Sequence, residues 1–141
     1  MDPSGRRPLE IVDSCFAAIA ALDADRTAAH YTEDYVLELP YWKPDQPLVI
    51  EGRDAVHAFL VELLAVQQMR FTLTNSHWIP EERLLIAEYT SRGAFLDTGE
   101  PYQNRYVGYW FFAGERVRHL REYYNPQAPR ASALDERDAS G

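Results

Sequence analysis

The stretch Tyr102–Pro126 reads YQNRYVGYWFFAGERVRHLREYYNP, and its pattern decides the fold. Two strand-length runs, Gln103–Phe112 and Arg116–Tyr124, flank a short turn at Ala113-Gly114-Glu115. Both are rich in Tyr, Val, Phe and Trp, residues that suit a pleated, half-buried surface. Alternation places Asn104, Tyr106, Gly108, Trp110 and Phe112 on one face of the first run, and Arg105, Val107, Tyr109 and Phe111 on the other. Both faces turn apolar after Tyr106, which predicts a central strand covered on two sides. On the second run Arg118, Leu120, Glu122 and Tyr124 share a face, opposite Val117, His119, Arg121 and Tyr123. Glu122 is thus a carboxylate between Leu120 and Tyr124, beside a strand carrying Asn104 and Tyr106.

Working outward, the chain divides into helices first and strands last. Pro8 suits a first helical turn, and Ile11, Val12, Cys15, Phe16, Ile19 and Leu22 recur at helical spacing. Asp23 or Asp25 can cap a second short helix over Arg26–Tyr31. Tyr35–Leu39 reads as a strand stopped by Pro40, Trp42–Pro47 as a proline-punctuated loop, and Leu48–Ile50 as a short strand. A third helix opens at Gly52-Arg53-Asp54 with Val56, Phe59, Leu60, Leu63 and Leu64 as its buried stripe. A long, bent strand Met69–Ile79 and a strand Leu84–Phe95 precede the final pair. The order predicts one α+β domain over residues 9–126, with disordered ends at 1–8 and 127–141.

Composition narrows the function. The 141 residues carry a formal charge of −8, so the basic surface that nucleic acid or an anionic membrane requires is lacking. The 46% of hydrophobic residues, with 13% aromatic, suffices for a core and a lined cavity. No run reaches the length of a bilayer span, and no signal peptide is expected. The single cysteine, Cys15, lies on the apolar stripe as a core thiol, and the expected setting is a reducing cytoplasm. Metal-ligand spacing and phosphate-cradling glycine loops are absent, so no cofactor and no metal are expected.

Tyr102-Gln-Asn104, the Gly114 turn and the ending Arg121-Glu-Tyr-Tyr-Asn-Pro126 resemble SnoaL-like proteins of the nuclear transport factor 2-like, or ketosteroid isomerase-like, superfamily. The ending is most similar to the phenazine-biosynthesis A/B branch, where Arg-Glu-aromatic-x-Asn-Pro closes the last strand. The resemblance covers roughly Leu9 to Pro126. It implies a cone: a strongly curved, mostly antiparallel sheet wrapped around N-terminal helices and enclosing a pocket. It also implies a homodimer paired through the sheet, with Arg105, Tyr109, His119 and Arg121 at that surface. Two departures matter. Limonene-epoxide-hydrolase relatives carry Arg and Asp where this chain has Tyr89 and Ser91, and Tyr and Asn where it has Leu37 and Leu39. Ketosteroid isomerase needs a first-strand Asp, which Leu37 and Leu39 do not supply. Epoxide hydrolysis and steroid isomerisation are therefore disfavoured.

The resemblance turns the pattern into a candidate site. Glu122 would be a pocket-lining acid whose desolvation raises its pKa and fits it for proton shuttling. The alternative is a strand-edge acid, exposed or paired with an Arg. Tyr89 and Ser91, with Asn104, Tyr106, Leu120 and Tyr124, would bind a substrate and orient a carbonyl or developing oxyanion. For Tyr89 and Tyr106 the alternative is aromatic core packing. His77 shares a face with Phe71, Leu73, Asn75 and Ile79 and is the histidine placed to carry a proton. His30, His57 and His119 read as helix-end, surface and structural. Tyr41 and Trp42, in the proline-rich loop, would cover the cone mouth and hold a small hydrophobic or polycyclic ligand, or pack against their own domain or a dimer partner. Three functions stay open. One is an enzyme using Glu122 to isomerise, cyclise or condense a natural-product intermediate. Another is a non-catalytic binding or accessory protein, and the third an interaction module with a filled cavity.

Overall fold

The apolar stripe Ile11, Val12, Cys15 and Phe16 forms the buried face of helix α1 (Arg6–Ala20) in the computed structural model, which describes residues 4–128. The helix begins two residues before Pro8, earlier than expected. Gly5, at φ +79, lies against the Trp78 ring, and Arg7 pairs with Glu115 at 2.8 Å, so the entry to the helix is held from two sides. The expected disorder at residues 1–3 and 129–141 falls outside the described residues. Asp23 caps α2 (Ala24–Ala28) by accepting the Arg26 N–H at 2.9 Å. His30 bonds the Arg26 carbonyl at 3.0 Å and Ser14 Oγ at 2.9 Å, joining α2 to α1. His57 of α3 (Arg53–Val66) meets Asp25 at 2.6 Å, joining α3 to α2.

Six strands follow the expected order, β4 and β6 with the expected bounds and the others longer: β1 (Tyr31–Lys43), β2 (Gln46–Glu51), β3 (Gln67–Ile79), β4 (Leu84–Phe95), β5 (Pro101–Ala113) and β6 (Arg116–Tyr124). They form one sheet in the order β2-β1-β6-β5-β4-β3, parallel only where β1 meets β6. The sheet is curved and open, and α1 and α3 pack into its concave face. The helices supply Val12, Phe16, Phe59 and Leu60 to a core completed by Trp110, Phe112, Leu85 and Leu48 from the strands. Each such side chain contributes about 1.5–3 kcal/mol when fully buried.

Irregularities in the ladders create the curvature and overturn several expectations. Pro40 does not stop β1. The strand runs on to Lys43 because Pro40 falls in a bulge between the pairs Leu39–Leu48 and Lys43–Gln46, where no ladder hydrogen bond is required of it. Thr74 is unpaired between Leu73–Tyr89 and Asn75–Glu88, so β3 changes face at that point. Arg118 is unpaired in β6, and Val117, not Arg118, faces inward with Leu120. The outer face of β5 is also less covered than expected. Val107, Tyr109 and Phe111 are half-buried, and no second layer of the described residues lies over them. Arg121 stacks on Tyr109 with its guanidinium carbon 4.8 Å from the ring centre, and Arg118 on Phe111 at 5.2 Å.

At Gly93, paired with Met69, the backbones of β4 and β3 come so close that a methyl group would sit 1.7 Å from the Gln68 carbonyl oxygen. Gly93→Ala is expected to destabilise the domain by about 2–3 kcal/mol, lowering the melting temperature by roughly 10 °C. An unchanged melting temperature would show that the bend does not depend on this contact.

Candidate active site

Between the helices and the concave face lies a cavity of about 370 Å³. Its walls are apolar and aromatic: Phe16 from α1, Phe59 and Leu60 from α3, Tyr35 and Leu37 from β1, Phe71 from β3 and Trp110 from β5. Exposed Tyr41 and Pro126 mark its mouth. Tyr41 is 50% exposed and Trp42 only 5%, because alternation along β1 sends Trp42 inward against Phe59 and Tyr41 outward against Tyr123. Both still touch the cavity, as a hairpin rather than as the expected loop.

Glu122 is the cavity's chemical centre. It is directly opposite Gly108 in the β5–β6 ladder and flanked by Leu120 and Tyr124, all inward. Tyr89, one strand further on, donates its hydroxyl hydrogen to Glu122 Oε2. Gly108 makes this reach possible: a methyl group there would stand 2.5 Å from the Tyr89 oxygen and 2.6 Å from the Trp110 indole nitrogen. That indole nitrogen is buried beside the phenol without reaching hydrogen-bond geometry. The carboxyl keeps some surface, which opens onto the cavity, yet protein closes around it so fully that desolvation dominates. Burial pushes the Glu122 pKa up to about 7, and the Tyr89 hydrogen bond opposes that rise in part. Burial, followed by the Glu122 charge, holds the Tyr89 phenol well above its ordinary value, so it remains a donor.

The remaining expected residues divide by what they touch. Tyr106, Asn104, Leu120 and Tyr124 line the cavity. Tyr89 and Ser91 stand behind its wall: Tyr89 holds Glu122, and Ser91 Oγ shares a 2.8 Å hydrogen bond with the Tyr106 hydroxyl. Asn104 has its amide engaged elsewhere. It accepts the Asn125 N–H at 3.0 Å and the Arg105 N–H at 2.8 Å, and donates to the Tyr102 hydroxyl at 2.9 Å. Asn104 thus pins the chain where it leaves β6. His77 is not at the site. The Thr74 bulge turns it to the outer face opposite Ile86, exposed and 3.4 Å from Asn75, while Ser76 and Trp78 take the inward positions. His119 also faces outward, bonded to Glu38 at 3.0 Å.

Wall residues outside the expected site are Tyr31, Tyr35, Gln67, Tyr102 and Trp110, of which Trp110 already follows from its place on the Asn104–Tyr106 face. Tyr31 and Tyr35 stack with centroids 3.7 Å apart and planes within 2°. The Tyr35-x-Leu37-x-Leu39 alternation is the available signal for Tyr35, whereas Tyr31 falls at the end of the span expected as a helix. No cluster of three or more His, Cys, Asp or Glu among the described residues could hold a metal ion.

Residues 12–120 match the SnoaL-like domain. The chain belongs to the SnoaL-like family. Among curated proteins it is 27% identical over 97 residues to the uncharacterised protein YesE of Bacillus subtilis (strain 168), spanning 68% of this chain and 66% of that relative. The match therefore covers just under two thirds of the relative's length. A Bacillus subtilis structure provisionally named an isomerase superposes with a TM-score of 0.81 at 24% identity, covering 89% of this chain and 91% of that one. A Mycobacterium tuberculosis protein in complex with estradiol-17beta-hemisuccinate gives 0.72 at 21%, covering 84% and 94%. The phenazine branch is represented too. A phenazine biosynthesis-related protein of Pseudomonas aeruginosa gives 0.68 at 19%, covering 85% and 80%. At these identities the structural likeness is one of fold.

The carboxyl's burial couples to stability. Because the folded-state pKa of Glu122 lies above its unfolded value of 4.5, the neutral acid favours the fold at low pH. That contribution is lost as pH rises toward about 7, on the order of 3 kcal/mol in all. Glu122→Gln should abolish this decline. Tyr89→Phe, which removes the bond favouring the carboxylate, should extend the decline to higher pH. Denaturant melts from pH 4 to 9 read both effects; a Tyr89→Phe curve superimposable on the parent's would contradict the assigned role of Tyr89.

Proposed function

We propose that this chain is a cofactor-independent enzyme that isomerises, cyclises or condenses an apolar natural-product intermediate, with Glu122 as its general acid and base. The observation that carries the reading is one carboxyl group, poised near neutrality, facing a mainly apolar and aromatic cavity. A group with that pKa exchanges protons in both directions at physiological pH. In this reading the ionised carboxylate removes a proton from carbon next to a carbonyl, and the acid returns it at another position. Tyr89 holds the carboxyl and steadies its ionised form, while Tyr106 supplies a phenol at the same wall. The aromatic faces orient a flat or polycyclic substrate and exclude water. Provisional names among the structural neighbours, an isomerase and a polyketide cyclase, agree with this class of chemistry. Complexes of neighbours with estradiol-17beta-hemisuccinate and with trimethylamine agree with a cavity for small molecules. His77 has no part in it.

The enzyme would act as a homodimer paired through the outer sheet face. Val107, Tyr109, Phe111 and Tyr123 make an aromatic band there that no layer of the described residues covers. Light scattering at micromolar concentration should give twice the monomer mass, and a monomer would contradict this. A reducing cytoplasmic setting suits Cys15, whose buried thiol is pushed up to about 12 by desolvation and so stays unreactive.

A bicyclic ketone with an enolisable position tests the chemistry without the natural substrate. The protein should accelerate exchange of its α-hydrogen for deuterium, followed by NMR. Glu122→Gln should slow the exchange by roughly 10²–10⁴-fold while leaving the ketone's affinity within a few-fold. Equal exchange by the parent and Glu122→Gln, with the ketone bound by both, would favour the non-catalytic binding protein.

A further inference from the structure

The cavity wall contains no Lys, Arg or His: among the described residues lining it, Glu122 is the single side chain that carries charge at neutral pH. The phenols that feel this carboxyl are Tyr89 from β4, Tyr106 from β5, and Tyr31 and Tyr35 from β1, with the Cys15 thiol of α1 near the last two. Burial raises the pKa of every one of them, so none adds charge between pH 6 and 8. A ligand's own charge therefore meets one partner, and that partner is negative. An anionic head group would have to shed its water with no donor cation to replace it. A protonated amine finds the opposite. It can donate to Glu122, whose Oε2 already holds Tyr89 in place, in a wall whose rings, Tyr31, Tyr35, Tyr106 and Trp110, are electron-rich and carry no positive charge to repel it. The whole chain, at −8, adds long-range repulsion of anions.

We propose that the cavity sorts ligands by charge, taking apolar molecules that are neutral or carry a protonated amine and refusing those that carry a carboxylate or phosphate. The ammonium group is held on Glu122. This rests on the cavity being a ligand site, and it narrows the substrate class to neutral or basic intermediates.

Three probes with one bicyclic body test it by titration calorimetry at pH 8: 2-naphthylmethylamine, 2-naphthalenemethanol and 2-naphthoate. The amine should bind about 10–100-fold more tightly than the alcohol, the range of a charge-assisted hydrogen bond. The carboxylate should bind at least ten-fold more weakly than the alcohol. In Glu122→Gln the amine's advantage should fall below three-fold while the alcohol's affinity holds. At pH 6 the amine should weaken about ten-fold, because Glu122 then holds a proton that must be displaced. If the alcohol binds but the carboxylate matches it, or if the amine keeps its advantage in Glu122→Gln, charge sorting is wrong while the ligand site stands. If none of the three binds, the ligand site itself is refuted, and the charge-sorting proposal with it.

Discussion

The desolvation of one carboxyl group is the constraint around which this domain is arranged. Turning a Glu toward an aromatic cavity costs stability whenever the group is ionised, since the protein replaces little of the lost hydration. The chain offsets part of that cost with a single hydrogen bond from Tyr89, and the bond needs space that a side chain on β5 would fill. Gly108 leaves that space. Three consecutive strands therefore cooperate: β6 presents the acid, β5 stands clear at Gly108 opposite it, and Tyr89 of β4, paired with Tyr106 two residues along, reaches across to hold it. The cost that remains appears as a pKa near neutrality, the property a proton-transfer site requires.

Cavity and curvature have a common origin. A flat sheet would let the helices close onto it and fill the space in front of Glu122. Bulges at Pro40, Thr74 and Arg118, and the close backbone approach at Gly93, bend the sheet around α1 and α3 instead. The volume is lined rather than filled because its walls are large rings locked against one another. Tyr31 on Tyr35, Phe16 on Phe71 and Trp42 on Phe59 are such pairs. Asn104 anchors the chain beyond β6, which keeps Pro126 at the cavity mouth.

Much of this was legible from residue order. Helix stripes, strand succession and the inward set Tyr106, Trp110, Leu120 and Glu122 follow from periods of 3.6 and 2, which hold wherever the ladder is regular. They fail at bulges, since one extra residue reverses every later assignment. His77 was misplaced for that reason, with nothing in Leu73-Thr-Asn-Ser76 to announce the unpaired Thr74. Pro40 misled in the opposite direction, because a proline that ends a regular strand is harmless inside a bulge. Asn104 lines the wall as expected, but besides its neighbours Tyr102 and Arg105 it holds Asn125, 21 residues away in sequence, and alternation alone does not show that its amide is already engaged. The Tyr89–Glu122 bond is likewise a contact between strands not adjacent in the sheet, visible only once Gly108 is seen between them.

The central property is a Glu122 carboxyl held near neutrality by its surroundings. Carboxyl carbon NMR of glutamate-labelled protein, with Glu122→Gln used to assign the resonance, measures this directly. Glu122 should titrate with a midpoint of about 7. A midpoint at or below the ordinary value of 4.5 would mean that the carboxylate is solvated or ion-paired, and the proposed acid–base role would fall with it.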